Sequence, residues 1–330
     1  MAEYKHILVY GEIVEGQLGS ITKELLGGAR KLADELGEEL HTLFAGNHIT
    51  DQAREAIAFG ADKVYVVDNP KLDSYETELY MGVVDAIVEK EKPRYLLFGH
   101  TDQGADLGPR LAFKLNVAVA TDCVELSVEQ GTKRLIRIKP VYGGLAMAAY
   151  TSEDFPQMAT VRPKSLTPAE RKDPAQGDVI PRDMDAVLPS SRVTVLERVT
   201  EELEGIKLED ADVIVSGGRG IGDQEGFKQL EDAAKFLKGA VGGSRIACDN
   251  GWLPTTLQVG ITGKIVAPSL YIAVGISGAS QHLSGCSRSK TIVAINKDQN
   301  AAIFKYAQYG VVGDWKVVLP TFMDKLKALE

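Results

Sequence analysis

KIVAPSLYIAVGISGASQHLSGCSRSKTIVAINKD, residues Lys264–Asp298, is the stretch on which the reading of this chain turns. Beyond Pro268, Leu270–Val274 is an apolar run of strand length, and Thr291–Asn296 is a second. Between them the chain turns through Gly275–His282, GISGASQH. Glycines and small residues directly after a strand let backbone N–H groups approach a ligand closely. Gln281 and His282 then offer an amide and an imidazole where a helix begins. A tight strand-to-helix turn explains this piece alone equally well, so its neighbours decide.

Upstream, the apolar run Ala211–Val215 leads straight into SGGRG, residues 216–220, and the helical pattern Gly226–Leu237 follows. Strand, glycine turn and helix place N–H donors and the Arg219 guanidinium side by side, which suits a pyrophosphate. A second loop, residues 240–254, sets Ser244 and Arg245 after Gly242 and Gly243. A third is LQVGITGK, residues 257–264, and the fifth, after GISGASQH, begins at Asn296. The segment closes with YGVVGDW, residues 309–315, then Lys316–Leu319 and a helix over Thr321–Leu329. A turn without a ligand explains any one loop; it explains five in succession poorly.

The first half alternates strand and helix patterns. Strands are expected at His6–Tyr10, Leu40–Ala45, Lys63–Val67 and Tyr95–Gly99, with helices at Leu18–Leu36, Asp51–Phe59 and Tyr75–Glu89. Such alternation with short loops implies a mostly parallel sheet with helices on both faces. After Gly99, Asp102 or Asp106 is placed to cap the helix holding Leu111 and Leu115, and Arg110 to meet an anion or a surface carboxylate. Thr121–Val128, Lys133–Val141 and Ala146–Thr151 read as antiparallel strands, with Met158–Val161 a further short one. Residues 163–189 are rich in Pro and charge and read as an extended arm. Arg192–Val199 alternates and is expected to rejoin the first sheet. The domain boundary is placed near Gly205, giving residues 1–205 and 206–330.

Composition limits the function. A formal charge of −9 and a pI near 5.3 argue against nucleic acid and anionic membrane surfaces. No apolar run approaches the roughly 20 residues of a membrane span. MAEYKHILVYGE enters a strand at once, so neither signal nor transit peptide is expected, and a cytoplasmic, bacterial location follows. Cys123, Cys248 and Cys286 have no paired spacing and read as reduced thiols; the five histidines form no ligand pair, so no metal is expected. The first half lacks both G-x-G-x-x-G and the P-loop pattern, so no phosphate cradle is visible there.

The loops together resemble the α subunit of electron-transfer flavoproteins. SGGRG (216–220), VGGSR (241–245), QVGITGKIVAPSLYIAVGISGASQHL (258–283), KTIVAINKD (290–298) and YGVVGDW (309–315) stand in that family's order and spacing. The first half is similar at lower specificity. The resemblance implies a nucleotide-hydrolase-like α/β scaffold that packs with a β subunit, followed by a Rossmann-like domain holding one FAD. It implies that Arg219 and Ser244 meet the phosphates, Arg245 the isoalloxazine, Thr262 flavin N5, and His282 the pyrimidine end. Gln258, Val259, Gly260 and Ile261 would complete the Thr262 loop. Ser277, Gly278, Ala279, Ser280 and Gln281 would surround the phosphates and ribityl chain, and Asn296, Asp314 and Trp315 the adenosine. The family often has Gln where Ile261 stands, so a side-chain contact is lost there while a backbone contact stays open.

Such a chain is a carrier without catalytic residues, whose Arg245 and His282 would favour negative charge on the ring. The resemblance implies a heterodimer whose β subunit binds AMP or a second FAD. Electrons would come from acyl-CoA dehydrogenases in fatty-acid β-oxidation, or similar flavoenzymes, and go to a quinone oxidoreductase. The alternative within the family is an electron-bifurcating subunit working with NADH and ferredoxin. Outside it stand a stand-alone nucleotide-binding module and an NAD-dependent enzyme.

Overall fold

The structure is a computed structural model describing residues 4–144, 146–185, 188–189, 191–197 and 206–328. It divides into two compact units, Met1–Arg198 and Val199–Glu330. The boundary expected near Gly205 lies outside the described residues.

The first unit is a seven-stranded parallel sheet. Its strands in chain order are β1 (Lys5–Tyr10), β2 (Leu40–Gly46), β3 (Lys63–Asp68), β4 (Pro93–Gly99), β5 (Val119–Cys123) and, after an inserted antiparallel sheet, β9 (Gln157–Val161) and β10 (Asp178–Pro181). The inserted three-stranded sheet is β6 (Glu125–Val128), β7 (Leu135–Val141) and β8 (Ala146–Tyr150), in the order β8-β7-β6. The parallel sheet runs β10-β3-β2-β1-β4-β9-β5. Alternate residues of β1 enter opposite layers, as a pleat demands. Ile7 and Val9 pack with Leu25 and Leu26 of helix α1 (Ser20–Leu36), whereas Leu8 and Tyr10 join Val83 and Ile87 of α2 (Thr77–Glu91) and Leu107 of α3 (Asp102–Leu115).

Several expectations are corrected here. The first parallel stretch of Thr121–Val128 belongs to the main sheet and only Glu125–Val128 to the antiparallel one. The cap of α3 is Thr101, whose Oγ1 accepts from Gly104 N at 3.1 Å; Asp102 already has helical position, and Asp106 accepts from Tyr75, Thr77 and Arg110. Arg110 is thereby paired rather than free for an anion. Residues 163–189 are not merely an arm, because Asp178–Pro181 docks as the edge strand beside β3. Residues 192–197 form no strand, and their apolar side chains Val193, Val195 and Leu196 are exposed.

The second unit is a five-stranded parallel sheet in the order β12-β11-β13-β14-β15. Its elements are β11 (Val213–Gly217), α4 (Gln224–Phe236), β12 (Ala240–Gly243), α5 (Arg245–Asp249), β13 (Leu270–Val274), α6 (Ser280–Cys286), β14 (Thr291–Asn296), β15 (Tyr309–Val312) and α7 (Trp315–Lys327). The closing helix starts at Trp315 rather than Thr321 and continues through Pro320. One layer packs Tyr271, Ala273 and Ile292 against Leu283 and Cys286; the other packs Val215, Ile272 and Ile295 against Phe227, Leu230 and Leu319. Chain order reverses between β11 and β13. In an open parallel sheet, ligands bind outside the carboxyl ends of the strands at such a switch point.

Candidate functional site

The two loops that leave the switch point are SGGRG and GISGASQH. They are joined backbone to backbone: Gly218 N donates to Val274 O at 2.9 Å and Gly220 N to Gly275 O at 3.0 Å. Glycine is required for this approach, because a Cβ at 218 would lie 2.3 Å from Gly275 O. The other loops are tied on in turn. Ser244 N donates to Gly217 O, Val259 N to Gly243 O, and Ile261 N to Gln281 O at 2.8 Å.

Together they enclose a cleft of about 680 Å³, within the ~300–1,000 Å³ common for cofactor sites. Arg219, Ser244 and Arg245 line one part of it, and Gln258, Val259, Gly260, Ile261 and Thr262 another. Ser277, Ala279, Gln281, His282 and Asn296, also expected from sequence, line the rest. Four expected residues lie elsewhere. Gly278, at φ +84°, packs on Ile303, where a Cβ would come within 2.2 Å of Ile303 N. Ser280 is exposed at the start of α6, beside Gln281. Asp314 caps α7 by accepting from Lys316 N at 3.0 Å. Trp315 is buried, its Nε1 donating to Gly220 O at 3.1 Å, so it braces the SGGRG loop from behind.

Sequence reasoning missed Lys297 and Asp298, which also line the cleft. Their signal was their place: they follow the last residue of β14, where a ligand-facing loop must start. Arg219 and Lys297 are exposed and make no ion pair or hydrogen bond with any described residue. Arg245 reaches only the exposed Asp249 carboxylate, at 3.4 Å along its own helix. The cleft therefore presents three guanidinium or ammonium groups against one lining carboxylate, Asp298, a balance suited to a diphosphate.

Other side chains orient each other. Gln258 Nε2 donates to Thr262 Oγ1 at 2.9 Å, which occupies an acceptor position of that hydroxyl and leaves its proton for a further acceptor. Asn296 is held from both ends, donating to Ile276 O and accepting from Asp298 N, each at 2.9 Å. The backbone contact left open at Ile261 is half closed, since its N–H is used by Gln281 O and only the carbonyl remains. His282 is buried, with Nε2 2.9 Å from the Tyr271 hydroxyl and Nδ1 without a hydrogen-bond partner. Burial lowers its pKa to about 4, against a smaller raising effect of the Val259 backbone. The imidazole is thus neutral near pH 7, and the positive charges lining the cleft are those of Arg219, Arg245 and Lys297.

Residues 7–186 match the family model described as the electron transfer flavoprotein domain, and residues 207–287 match the electron transfer flavoprotein FAD-binding domain. The chain is 44% identical to the electron transfer flavoprotein subunit alpha of Thermoanaerobacterium thermosaccharolyticum, over all of both chains. It is 44% identical to the subunit of the same name from Megasphaera elsdenii, over 99% of this chain and 98% of the relative. It is also 37% identical to the lactate dehydrogenase (NAD(+),ferredoxin) subunit LctC of Acetobacterium woodii, over 99% of this chain and 78% of that protein. With both halves matched and the Thermoanaerobacterium thermosaccharolyticum subunit aligned end to end, the chain belongs to the electron-transfer flavoprotein α-subunit family, and residues 207–287 of its second unit match that family's FAD-binding domain.

Proposed function

We propose that the cleft at the β11/β13 switch point holds one FAD, and that the chain works as an electron carrier in a heterodimer with a β subunit. The observation that carries this reading is the pair of unpartnered cations, Arg219 and Lys297, facing a cleft otherwise built of glycine turns and small side chains. Glycines at 218, 220 and 275 keep the loops close, where any Cβ would meet backbone. Bound FAD supplies the redox chemistry, and the chain supplies binding and electrostatics.

Arg219, Lys297 and Ser244 bind and orient the diphosphate. Arg245, next to Ser244 in the lining, supplies a cation for the ring. Gln258 fixes the Thr262 hydroxyl so that its proton points to an acceptor in the cleft, the role expected opposite flavin N5. Gln281, Ser277 and Asn296 position the remaining polar groups, and Ile261 adds apolar surface to the lining. His282, uncharged, contributes packing and a fixed polar group without charge. Electrons arrive from acyl-CoA dehydrogenases or similar flavoenzymes and leave to a quinone oxidoreductase. For Arg245→Ala, the flavin's reduction potential falls and its affinity drops by about tenfold, the worth of one charge-assisted contact. An unchanged potential sinks the role given to Arg245.

A second reading has its own support in the similarity to the Acetobacterium woodii subunit, whose name couples NAD(+) and ferredoxin. It makes this chain one half of an electron-bifurcating pair. Co-expression with the β subunit and a count of bound nucleotides separates the two. One FAD and one AMP per heterodimer fit the simple carrier; two FAD without AMP fit bifurcation. A complex free of flavin overturns both.

A further inference from the structure

Tyr271 on β13 is fully buried, and a buried phenol needs a partner for its hydroxyl. That hydroxyl lies 2.9 Å from His282 Nε2, with the two rings tilted by 55°. The contact can be made in two ways. Either the phenol donates to Nε2 and the imidazole proton sits on Nδ1, or Nε2–H donates to the phenol oxygen. In the second arrangement the phenol proton needs another acceptor. Its other polar neighbours are the Ser216 hydroxyl, which has no hydrogen bond of good geometry, and the Cys286 thiol. Burial pushes the Cys286 thiol up to about 12, so it stays S–H, a weak donor and a poor acceptor. The first arrangement leaves no phenol proton unpaired.

The other ring nitrogen faces the Gln258–Thr262 loop. Nδ1 of the buried His282 has no hydrogen-bond partner, and the backbone that acts on it is that of Val259, which favours a donor there as a carbonyl does. The Val259 N–H is already given to Gly243 O, so the carbonyl is what that residue has left. Val259, Tyr271 and Leu283 belong to one buried cluster. The loop also rests on α6 at this level: Ile261 N donates to Gln281 O at 2.8 Å, and a Cβ at Gly260 would lie 3.0 Å from that same oxygen. A lone pair on Nδ1 would repel a carbonyl, whereas an N–H would tie the loop through the ring to the sheet.

We infer that Tyr271 is a positioning residue of the cleft: its hydroxyl donates to His282 Nε2, fixes the imidazole proton on Nδ1, and so directs an N–H at the Val259 carbonyl that holds the Gln258–Thr262 loop in place for FAD. The inference rests on the reading of the cleft as the FAD site only in its last step.

The test uses the co-purified heterodimer, stripped of flavin and with isotope-labelled histidine. The His282 signals are identified by their loss in His282→Asn. Wild type should show the Nδ1–H tautomer, and Tyr271→Phe, which removes only the hydroxyl, should shift a large share to Nε2–H. Amide exchange over residues 257–264 should quicken about fivefold in Tyr271→Phe, while exchange in α4, on the other face of the sheet, stays as it was. The amide nitrogen of Asn stands where Nδ1 does and that of Gln where Nε2 does. His282→Asn should therefore keep the loop's slow exchange better than His282→Gln, a difference that a ring acting as filler would not produce. FAD titrated back should bind Tyr271→Phe about five- to tenfold more weakly than wild type. An Nε2–H tautomer in wild type overturns the inference, even where Tyr271→Phe fails to fold. So does an unchanged tautomer or unchanged loop exchange in Tyr271→Phe, or His282→Asn faring no better than His282→Gln. A wild-type heterodimer that takes up no flavin overturns the FAD reading instead, while tautomer and exchange are read all the same.

Discussion

Gly285 lies outside the cleft, on α6, yet it sets where the Gln258–Thr262 loop rests. An alanine Cβ at 285 would stand 2.4 Å from Gly260 N, 2.5 Å from Gly260 Cα and 3.1 Å from Lys264 O. All three are backbone atoms, so no side chain can swing aside. Helix and loop are also stitched together, with Val266 N donating to Gly285 O at 2.7 Å and Ile261 N to Gln281 O at 2.8 Å. For Gly285→Ala the loop must retreat by roughly 1 Å, and overpacking of this kind costs about 1–3 kcal/mol. If FAD binding requires the loop in its original place, that cost appears as roughly 5- to 150-fold weaker binding. Titration of FAD into the deflavinated heterodimer, followed by flavin fluorescence, measures it. Ser284→Ala, one residue away on the exposed face of α6, is the control and should bind within about twofold of wild type. If Gly285→Ala also binds within twofold, the loop is not held by α6 and the reasoning fails.

Two further predictions concern protons. Burial, and to a smaller extent the Asp102 charge, raises the Glu12 pKa to about 7, partly offset by the Thr101 hydroxyl that donates to it at 2.7 Å. A carboxyl with a raised folded-state pKa contributes stability that is full below about 4.5 and is lost as pH rises through about 7, a loss of about 3 kcal/mol. Urea unfolding at pH 5 and pH 8 should show that loss in wild type and not in Glu12→Gln; equal losses in both would rule it out. The His282 pKa of about 4 predicts that its ring carbon resonances stay flat between pH 5 and 8 in an NMR titration, whereas a midpoint near 6.5 would show the imidazole to be open to water.

The parallel sheets were legible because fully buried strands leave apolar runs, and the runs at 6–10, 95–99, 270–274 and 291–296 needed no partner to be recognised. The edge strand Asp178–Pro181 left no such trace. It is four residues inside a charged, proline-rich stretch, and only the free edge of β3 makes it a strand. Arg192–Val199 shows the reverse, an alternation that forms no strand in its described part, residues 192–197. The cap of α3 was misread by one residue because Thr101 and Asp102 are both good capping residues, and backbone angles, absent from a sequence, choose between them. The neutrality of His282 was equally out of reach. It depends on burial beside Tyr271, a strand residue whose hydroxyl arrives from the adjacent layer.

The loops that first drew attention owe much of their glycine to one another. Gly218 and Gly220 are small because Gly275 lies against them, Gly285 because Gly260 does, and Gly278 because Ile303 does. Glycine richness after a strand is thus evidence that loops pack closely, and a ligand is only one reason for them to do so. What separates this cleft from a set of packed turns is the charge left over after the packing is complete. Asp122, Asp106 and Glu38 each hold an arginine in the first unit, whereas Arg219 and Lys297 face the cleft with no described partner. Two unpaired cations lining a cleft of glycine turns at a topological switch point suit an anion, and that is the stronger ground for the proposal that the FAD diphosphate lies there.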